Sequence, residues 1–519
     1  MKKLLVAIIL IQAFFIDRES LWAEENDVYY IREIFFDIEG RTKEYALLLN
    51  SEIKKGDEIT GETALLEYIA RKKQILINRR ELQEVEIDFS RVNVDDDGRI
   101  PVDIVIHAVD TRNFIIVPEP KYSSNTGWSP ALRIRDFNFL GLMSPLRINL
   151  TYRYHDGKDV TYSRNNINIL FGVEIPFRAL GYNWIFTAEN IFSYYFNEPF
   201  STMNNSGIAV NIPVNDTTLT LGFNQGIYFL KEYDDWQKYV YSVNFQDIWY
   251  GSNTIYGEWE IPLRIEIENL GKLTYKPALS GNINYAFRGE DLADRAGPSV
   301  AASQKLGVKK IDWIDNFRSG ADVYIENNNE YNFYFNEWIN SITANITEHF
   351  VISDFLGISM RGRFTKWFYN SGLEFTSGSR RWNTGGMIRG LRDYAVAADS
   401  MLLFNFDFIF HVVNIMFSTY SNDTRLRIIN FEIQAGPVMD VALIDGIEAD
   451  NKRNFIRNIT YNPENWIVSA GLELFFFPLA FRSIYLGMSA VWNLNSWFNS
   501  GVLPGGDDME LYIGFGHHY

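Results

Sequence analysis

The sequence predicts a mainly β fold: a 16-stranded antiparallel transmembrane β-barrel preceded by a small α+β domain of order β-α-α-β-β. Three observations carry that expectation. From about residue 113 the apolar positions recur at period two and the helical period disappears. Aromatic residues make up 16% of the chain, an excess that suits a barrel with two interfacial girdles. The chain ends on an alternating segment in which Leu511, Ile513, Phe515, His517 and Tyr519 fall on one side. The last strand of a barrel in lipid must pair with the first, so that no edge stays open. A soluble β-sandwich shares the period of two, so the terminal strand, the aromatic excess and the leader together tip the reading.

Residues 1–23 read as that leader, a secretory signal peptide. Lys2 and Lys3 precede an apolar run from Leu4 to Ile16 broken by Gln12, and Ala23 offers a cleavage point before an acidic stretch. Residues 29–112 form the leading domain. Tyr29–Ile38 has a strand pattern, and Thr42–Ile53 has helical spacing at Tyr45, Leu48, Leu49 and Ile53. A breaker, "GDEIT", separates it from a second helix, Thr63–Arg79, with Leu66, Ile69, Ala70, Lys73 and Ile77 near one face. Leu82–Val94 alternates, Asp95–Gly98 is a turn, and Arg99–Asp110 returns. About 80 residues of this kind bury one modest core against a three-stranded sheet.

Residues 113–519 form the barrel. Leu146, Ile148, Leu150, Tyr152 and Tyr154 face one way, while Arg147, Asn149, Thr151 and Arg153 face the other. Ile167–Phe177, Leu273–Phe287 and Ile484–Trp492 repeat the pattern. Strands of about 10 residues with their connections fill this length with about 16 staves. Gly289–Gly307 and Asp445–Asn465 are polar and read as long external loops.

Composition narrows the function. A net charge of −17 argues against a nucleic-acid partner. There is no cysteine, and no Gly-x-Ser-x-Gly, His-Glu-x-x-His or P-loop signature. His107, His155, His349, His411, His517 and His518 are scattered, and the last two point to opposite faces of a strand, a poor metal pair. The chain therefore reads as a non-enzyme with no cofactor. At the ends of the barrel, Pro118 and Pro120 cannot donate to a strand ladder, and Gly514 and Gly516 weaken the last strand ahead of Tyr519. Few strong bonds there make a seam that can open to a partner strand; the plain alternative is that these residues merely end the strands. The Leu82–Val94 strand offers a second edge of the same kind.

A β-α-α-β-β module ahead of such a barrel resembles a polypeptide-transport-associated (POTRA) domain, and three later segments resemble the Omp85 superfamily, the surface-antigen D15 type of outer-membrane protein. They are Pro120–Gly141, with its "TGW" turn and "FNFLG" end; Gly385–Ala395, with the core Ile388, Arg389, Gly390 and Leu391; and Val438–Ile444 with Ser469–Phe481 and the terminal strand. The chain departs from the family at Leu391, where an aromatic is more usual, at His517, and in having one POTRA module. The resemblance implies that the loop around Arg389 folds back into the barrel and that its guanidinium pairs with wall carboxylates. Asp440 is the matching carboxylate by position and Glu473 a second. A hydrated lumen leads to the expectation of a modest energy for that pair, and the plain alternative for Arg389 is an exposed loop charge. Glycines at 385, 386 and 390 let the chain turn back. The implied function is insertion of β-barrel proteins into the outer membrane, or translocation of polypeptides across it. The implied partners are the outer-membrane bilayer, unfolded clients, and periplasmic chaperones or accessory lipoproteins. A passive pore or a surface adhesin on the same scaffold is the reading from another class.

Overall fold

The computed structural model describes residues 27–92, 95, 98–119, 122–123, 127–153, 166–195, 201–230, 248–267, 270–288, 297–333, 336–369, 382–383, 387–390, 397–398, 400–419, 429–445, 466–480, 485–501 and 509–515. The signal-peptide reading falls outside them, as does the loop 446–465.

The leading domain runs β1 (Val28–Glu39), α1 (Glu44–Ser51), β2 (Glu58–Thr60), α2 (Glu62–Asn78), β3 (Leu82–Arg91) and β4 (Ile100–Asp110). Its sheet has the order β2-β1-β4-β3. The expected three strands become four, because the segment read as a helix breaker pairs antiparallel with the start of β1. β1 and β4 are parallel, and β3 and β4 antiparallel. As expected, the Asp95–Gly98 turn joins them, with Gly98 N–H donating to Asp95 O at 3.0 Å. The helix faces differ from the sequence reading. The core takes Ala46 and Leu47 from α1 and Leu65, Ile69 and Leu76 from α2, whereas Leu66 is 51% exposed. Two apolar residues adjoin at each of these points, so periodicity alone chose the wrong neighbour.

The rest is one closed barrel. Its staves are β5 (Phe114–Glu119 with Tyr122–Ser123), β6 (Gly127–Trp128 with Ala131–Asp136), β7 (Leu146–Arg153), β8 (Asn166–Ala179), β9 (Tyr182–Tyr195), β10 (Ser201–Val214), β11 (Thr217–Leu230), β12 (Ile248–Ile267) and β13 (Gly271–Arg288). There follow β14 (Gly297–Ile314), β15 (Phe317–Asn332), β16 (Glu337–Ser353), β17 (Leu356–Tyr369), β18 (Ser400–Ile415), β19 (Phe431–Asp445), β20 (Ile467–Pro478), β21 (Leu486–Asn493) and β22 (Met509–Phe515). A short helix, α3 (Asn495–Ser500), follows β21. Among the described residues the barrel thus has 18 staves rather than 16. Two-residue turns such as Leu180–Gly181 and Asn215–Asp216, with positive φ at Leu180, Gly181 and Asn215, leave chain enough for one more hairpin. Gly297–Gly307, expected in a loop, belongs to β14.

The outer face is apolar: Ile255 is 68% exposed, Leu279 61%, Ile283 56% and Ile346 53%. Such residues alternate with inward polar ones, as a barrel in lipid with a polar interior requires. Aromatic clusters mark both ends. Trp249 lies 6.0 Å from both Phe229 and Phe287 at one end, and Phe177 lies 6.3 Å from Trp184 at the other. Among the described residues no helix is long and apolar enough to cross a membrane.

The leading domain is joined firmly to the short-turn end. Met143, from the connection between β6 and β7, is fully buried in the domain core. Arg41 Nη2 donates to Asp136 Oδ1 at 2.9 Å, and Asp110 Oδ2 accepts from the backbone N–H of Arg41 at 2.7 Å and from Asn138 Nδ2 at 3.2 Å. Helix α2 grips the β14–β15 turn: Asn78 Oδ1 accepts from Trp313 N–H at 2.9 Å, and Arg71 Nη1 donates to Asp312 Oδ1 at 2.7 Å.

Candidate functional site: a buried arginine among wall carboxylates

Strands β18, β19 and β20 are neighbours, and each turns alternate residues inward. On β18 Phe404, Phe406 and Phe408 take the outer face, which puts Met401, Leu403, Asn405 and Asp407 inside. On β19 and β20 the same rule brings Asp440 and Glu473 inside, both buried. Three carboxylates on three adjacent strands therefore face one region of the lumen.

Arg389 enters that region from the connection between β17 and β18. It is only 2% exposed. Its backbone N–H donates to Asp440 Oδ2 at 2.7 Å. Its Nε donates to both Asp440 oxygens, at 3.1 and 3.0 Å, and Nη2 donates to Oδ1. Nη1 donates to Asp407 Oδ1 at 2.6 Å and stands 3.4 Å from Glu473 Oε2. A planar guanidinium offers five donors in a fixed fork, so it can bind one carboxylate with two prongs and reach others with the third. A lysine has no such geometry.

The neighbouring residues of the loop are anchored too. Ile388 is fully buried against Met401, Leu403, Ala442, Ile444 and Ile467. Asn405 Nδ2 donates to Met387 O at 3.3 Å. Gly390 has φ +85, and a Cβ there would lie 3.4 Å from Ser469 Cβ. The chain reverses at this glycine against the wall, which favours a residue free to adopt positive φ.

The structure thus brings together Ile388, Arg389, Gly390, Asp440 and Glu473. It corrects the expectation of a weak, hydrated pair: the arginine and its carboxylates are almost wholly removed from solvent, which raises the stakes of the contact. Leu391, Gly385 and Gly386 lie outside the described residues. Asp407 was missed by the sequence reading. Its signal was present: it is the only carboxylate on its strand and sits two residues from Asn405 among four alternating phenylalanines.

The seam is the second region. Among the described residues β22 meets β5 at Tyr512 with Ser123 and at Ile513 with Tyr122. Pro118 lies in β5, exposed, and Gly514 lies buried in β22. Pro120, Gly516 and Tyr519 lie outside the described residues. The Tyr122 and Trp128 rings, 5.0 Å apart, stand beside the closure. β3, the strand read as a second edge, does end its sheet.

No family model matches this sequence and no curated protein matches it. Among solved structures the chain is similar to BamA from Haemophilus ducreyi lacking POTRA domains 1–3, at 14% identity and TM-score 0.42, over 94% of this chain and 85% of that one. It is similar to CdiB from Acinetobacter baumannii at 13% identity and TM-score 0.46, over 94% and 74%. It is also similar to CdiB from Escherichia coli at 9% identity and TM-score 0.38, over 96% and 92%. Likeness this low assigns no role to any residue.

Proposed function

We propose that this protein is an Omp85-type factor of the bacterial outer membrane, with its leading domain in the periplasm, that inserts β-barrel proteins into that membrane or moves polypeptides across it. The observation that carries the reading is Arg389, held by Asp440 and Asp407 inside the barrel at the position where the family-like loop motif places it. A loop anchored there does no covalent chemistry; it ties down the wall of β18, β19 and β20, two strands from the closure of β22 on β5. Opening that closure exposes backbone donors and acceptors on both strands, and an unfolded client strand can pair with them. The open edge of β3 suits the same kind of pairing at the periplasmic side. Client folding into lipid is downhill, so no nucleotide is needed. Periplasmic chaperones or accessory lipoproteins would deliver the clients.

The test is reconstitution into lipid vesicles with an unfolded barrel client, followed by the client's heat-modifiable gel migration. Wild type accelerates client assembly, or delivers the client to the vesicle interior, and Arg389→Ala does neither while remaining inserted. A protein that conducts ions but leaves both client readouts at the level of empty vesicles is a passive pore, and the proposal fails.

A further inference from the structure

On one side of the barrel the outer face breaks the usual order of a lipid-facing wall. On β15 Ile325 is exposed, and on β16 Trp338 and Ile346 are exposed, which identifies the outer face of both strands. Asn327, Asn329 and Tyr331 share that face on β15, as do Asn340 and Ile342 on β16. Going away from the leading domain, the first row is apolar: Leu306 stands opposite Ile325, Ile325 opposite Ala344, and Ala344 opposite Phe364. The next row is Gln304, Asn327, Ile342 and Lys366. Asn329 then stands opposite Asn340, and Asn340 opposite Phe368. Two residues further, roughly 7 Å along the strands, Tyr331 stands opposite Trp338 with their rings 5.0 Å apart. A barrel in lipid flanks its apolar band directly with aromatic girdles. Here amides and a lysine come between the two.

Three of the amides close a ring. Asn327 Nδ2 donates to Asn340 Oδ1 at 3.4 Å, Asn340 Nδ2 donates to Asn329 Oδ1, and Asn329 Nδ2 donates to Asn327 Oδ1. Asn327 Nδ2 also donates to Ser341 O at 3.2 Å. An amide nitrogen carries two N–H groups, so Asn329 and Asn340 each have a second to offer. Lys366 stands diagonally from Asn340, about 7–8 Å away between Cα atoms, and its Nζ lies 5.4 Å from the centroid of the Phe368 ring. None of the residues in these rows is a carboxylate. Amide and ammonium groups turned toward hydrocarbon are costly unless they are paired, and the ring meets only part of that need. The patch therefore suits an anion with several hydrogen-bond acceptors, supplied from within the membrane.

We propose that this patch binds the head of a membrane glycolipid: a phosphorylated amino sugar carrying amide-linked acyl chains. Lys366 takes the phosphate, and Asn329 and Asn340 give their second N–H groups to sugar or amide oxygens. Tyr331 and Trp338 cover the sugar at headgroup level, while Ile325, Ile342 and Phe364 lie along the acyl chains. The inference rests on the outer-membrane reading of the barrel. It is independent of client handling, because β14 to β17 lie at least five strands from the closure of β22 on β5.

The test is native mass spectrometry of the detergent-solubilised full chain titrated with diphosphoryl lipid A. The expected result is one retained lipid per chain that depends on Lys366. Lys366→Gln should weaken retention at least about tenfold, the scale of one lost charge-assisted hydrogen bond, and Lys366→Arg should retain it. Asn340→Leu should weaken it severalfold. Asn204→Leu, which breaks an amide pair with Asn190 between β10 and β9, should bind as wild type does. Heat-modifiable migration checks that each variant is folded. Phosphatidylglycerol at equal charge should not displace the glycolipid; displacement would reduce the patch to a general anionic contact and overturn the proposal. A dimer dispersed by Lys366→Gln would assign the face to a second copy of the chain and overturn it too. Wild type that assembles clients in vesicles but retains no lipid A, or retention by Lys366→Gln equal to wild type, overturns the site alone. A chain that stays soluble without detergent overturns the outer-membrane reading and the site with it.

Discussion

Replacing Arg389 by alanine removes the guanidinium from a cluster in which the side chains of Asp440, Asp407 and Glu473 are 0%, 4% and 7% exposed. The lost interactions include the Nε and Nη2 bonds to Asp440, the 2.6 Å bond to Asp407 and the 3.4 Å contact with Glu473. Three acidic groups are then left together in a low-dielectric pocket. Removing one partner of a buried ion pair typically costs about 3–5 kcal/mol, because the remaining charge must be desolvated or protonated. Unfolding entropy of about 2 cal/mol/K per residue gives this 519-residue chain roughly 1 kcal/mol per degree. The expected fall in the temperature of heat-modifiable migration is therefore about 3–5 °C. Adding Asp440→Asn to Arg389→Ala should recover part of that loss, since it removes one of the crowded charges, whereas Asp440→Asn alone should destabilise. The outcome that sinks this reasoning is an Arg389→Ala midpoint matching that of an exposed control such as Lys55→Ala, or strictly additive effects in the double variant.

Other consequences follow from the same geometry. Asp440→Asn should lower the melting midpoint more than Glu473→Gln, because Asp440 accepts from the backbone N–H and two side-chain nitrogens of Arg389 while the Arg389 Nη1 to Glu473 Oε2 distance is 3.4 Å; equal losses would contradict this ranking. Gly390→Ala, at φ +85, should cost about 1–2 kcal/mol in the same melting assay through left-handed backbone strain, and a neutral result would mean that the turn relaxes. Burial pushes the Glu81 carboxyl in the leading domain up to about 7, against the opposing charge of Arg79. The folded state then holds a proton that the unfolded chain releases near 4.5. The associated stability is full below about 4.5 and lost as pH rises through about 7. Glu81→Gln should therefore stabilise the domain at pH 8, by at most about 3 kcal/mol, and leave it unchanged at pH 4; urea midpoints of the domain transition within the full chain at both pH values decide it.

The period-two alternation showed two-faced strands in the sequence, and the aromatic excess, the terminal strand and the leader turned that reading from a sandwich toward a barrel. The strand number was less legible: two-residue turns at Leu180–Gly181 and Asn215–Asp216 leave almost no polar punctuation to count. The fourth sheet strand, Glu58–Thr60, is too short to show a period at all. Arg389, Asp440 and Glu473 came from local motif resemblance, and the structure joined them. Asp407 carried a signal in its own strand as the lone carboxylate there, but joining it to Asp440 and Arg389 needed the register of β18 beside β19. Met143 gave no sign of its place in the domain core, since that contact depends on how the connection between β6 and β7 meets the domain.

The most direct test of the account is a disulfide across the closure. The chain has no native cysteine, so Tyr122→Cys with Ile513→Cys, paired in register, gives a single defined crosslink. In vesicles the oxidised protein should lose client assembly and regain it on adding reductant, with either single variant active throughout. Full client activity in the crosslinked protein would contradict a seam that opens.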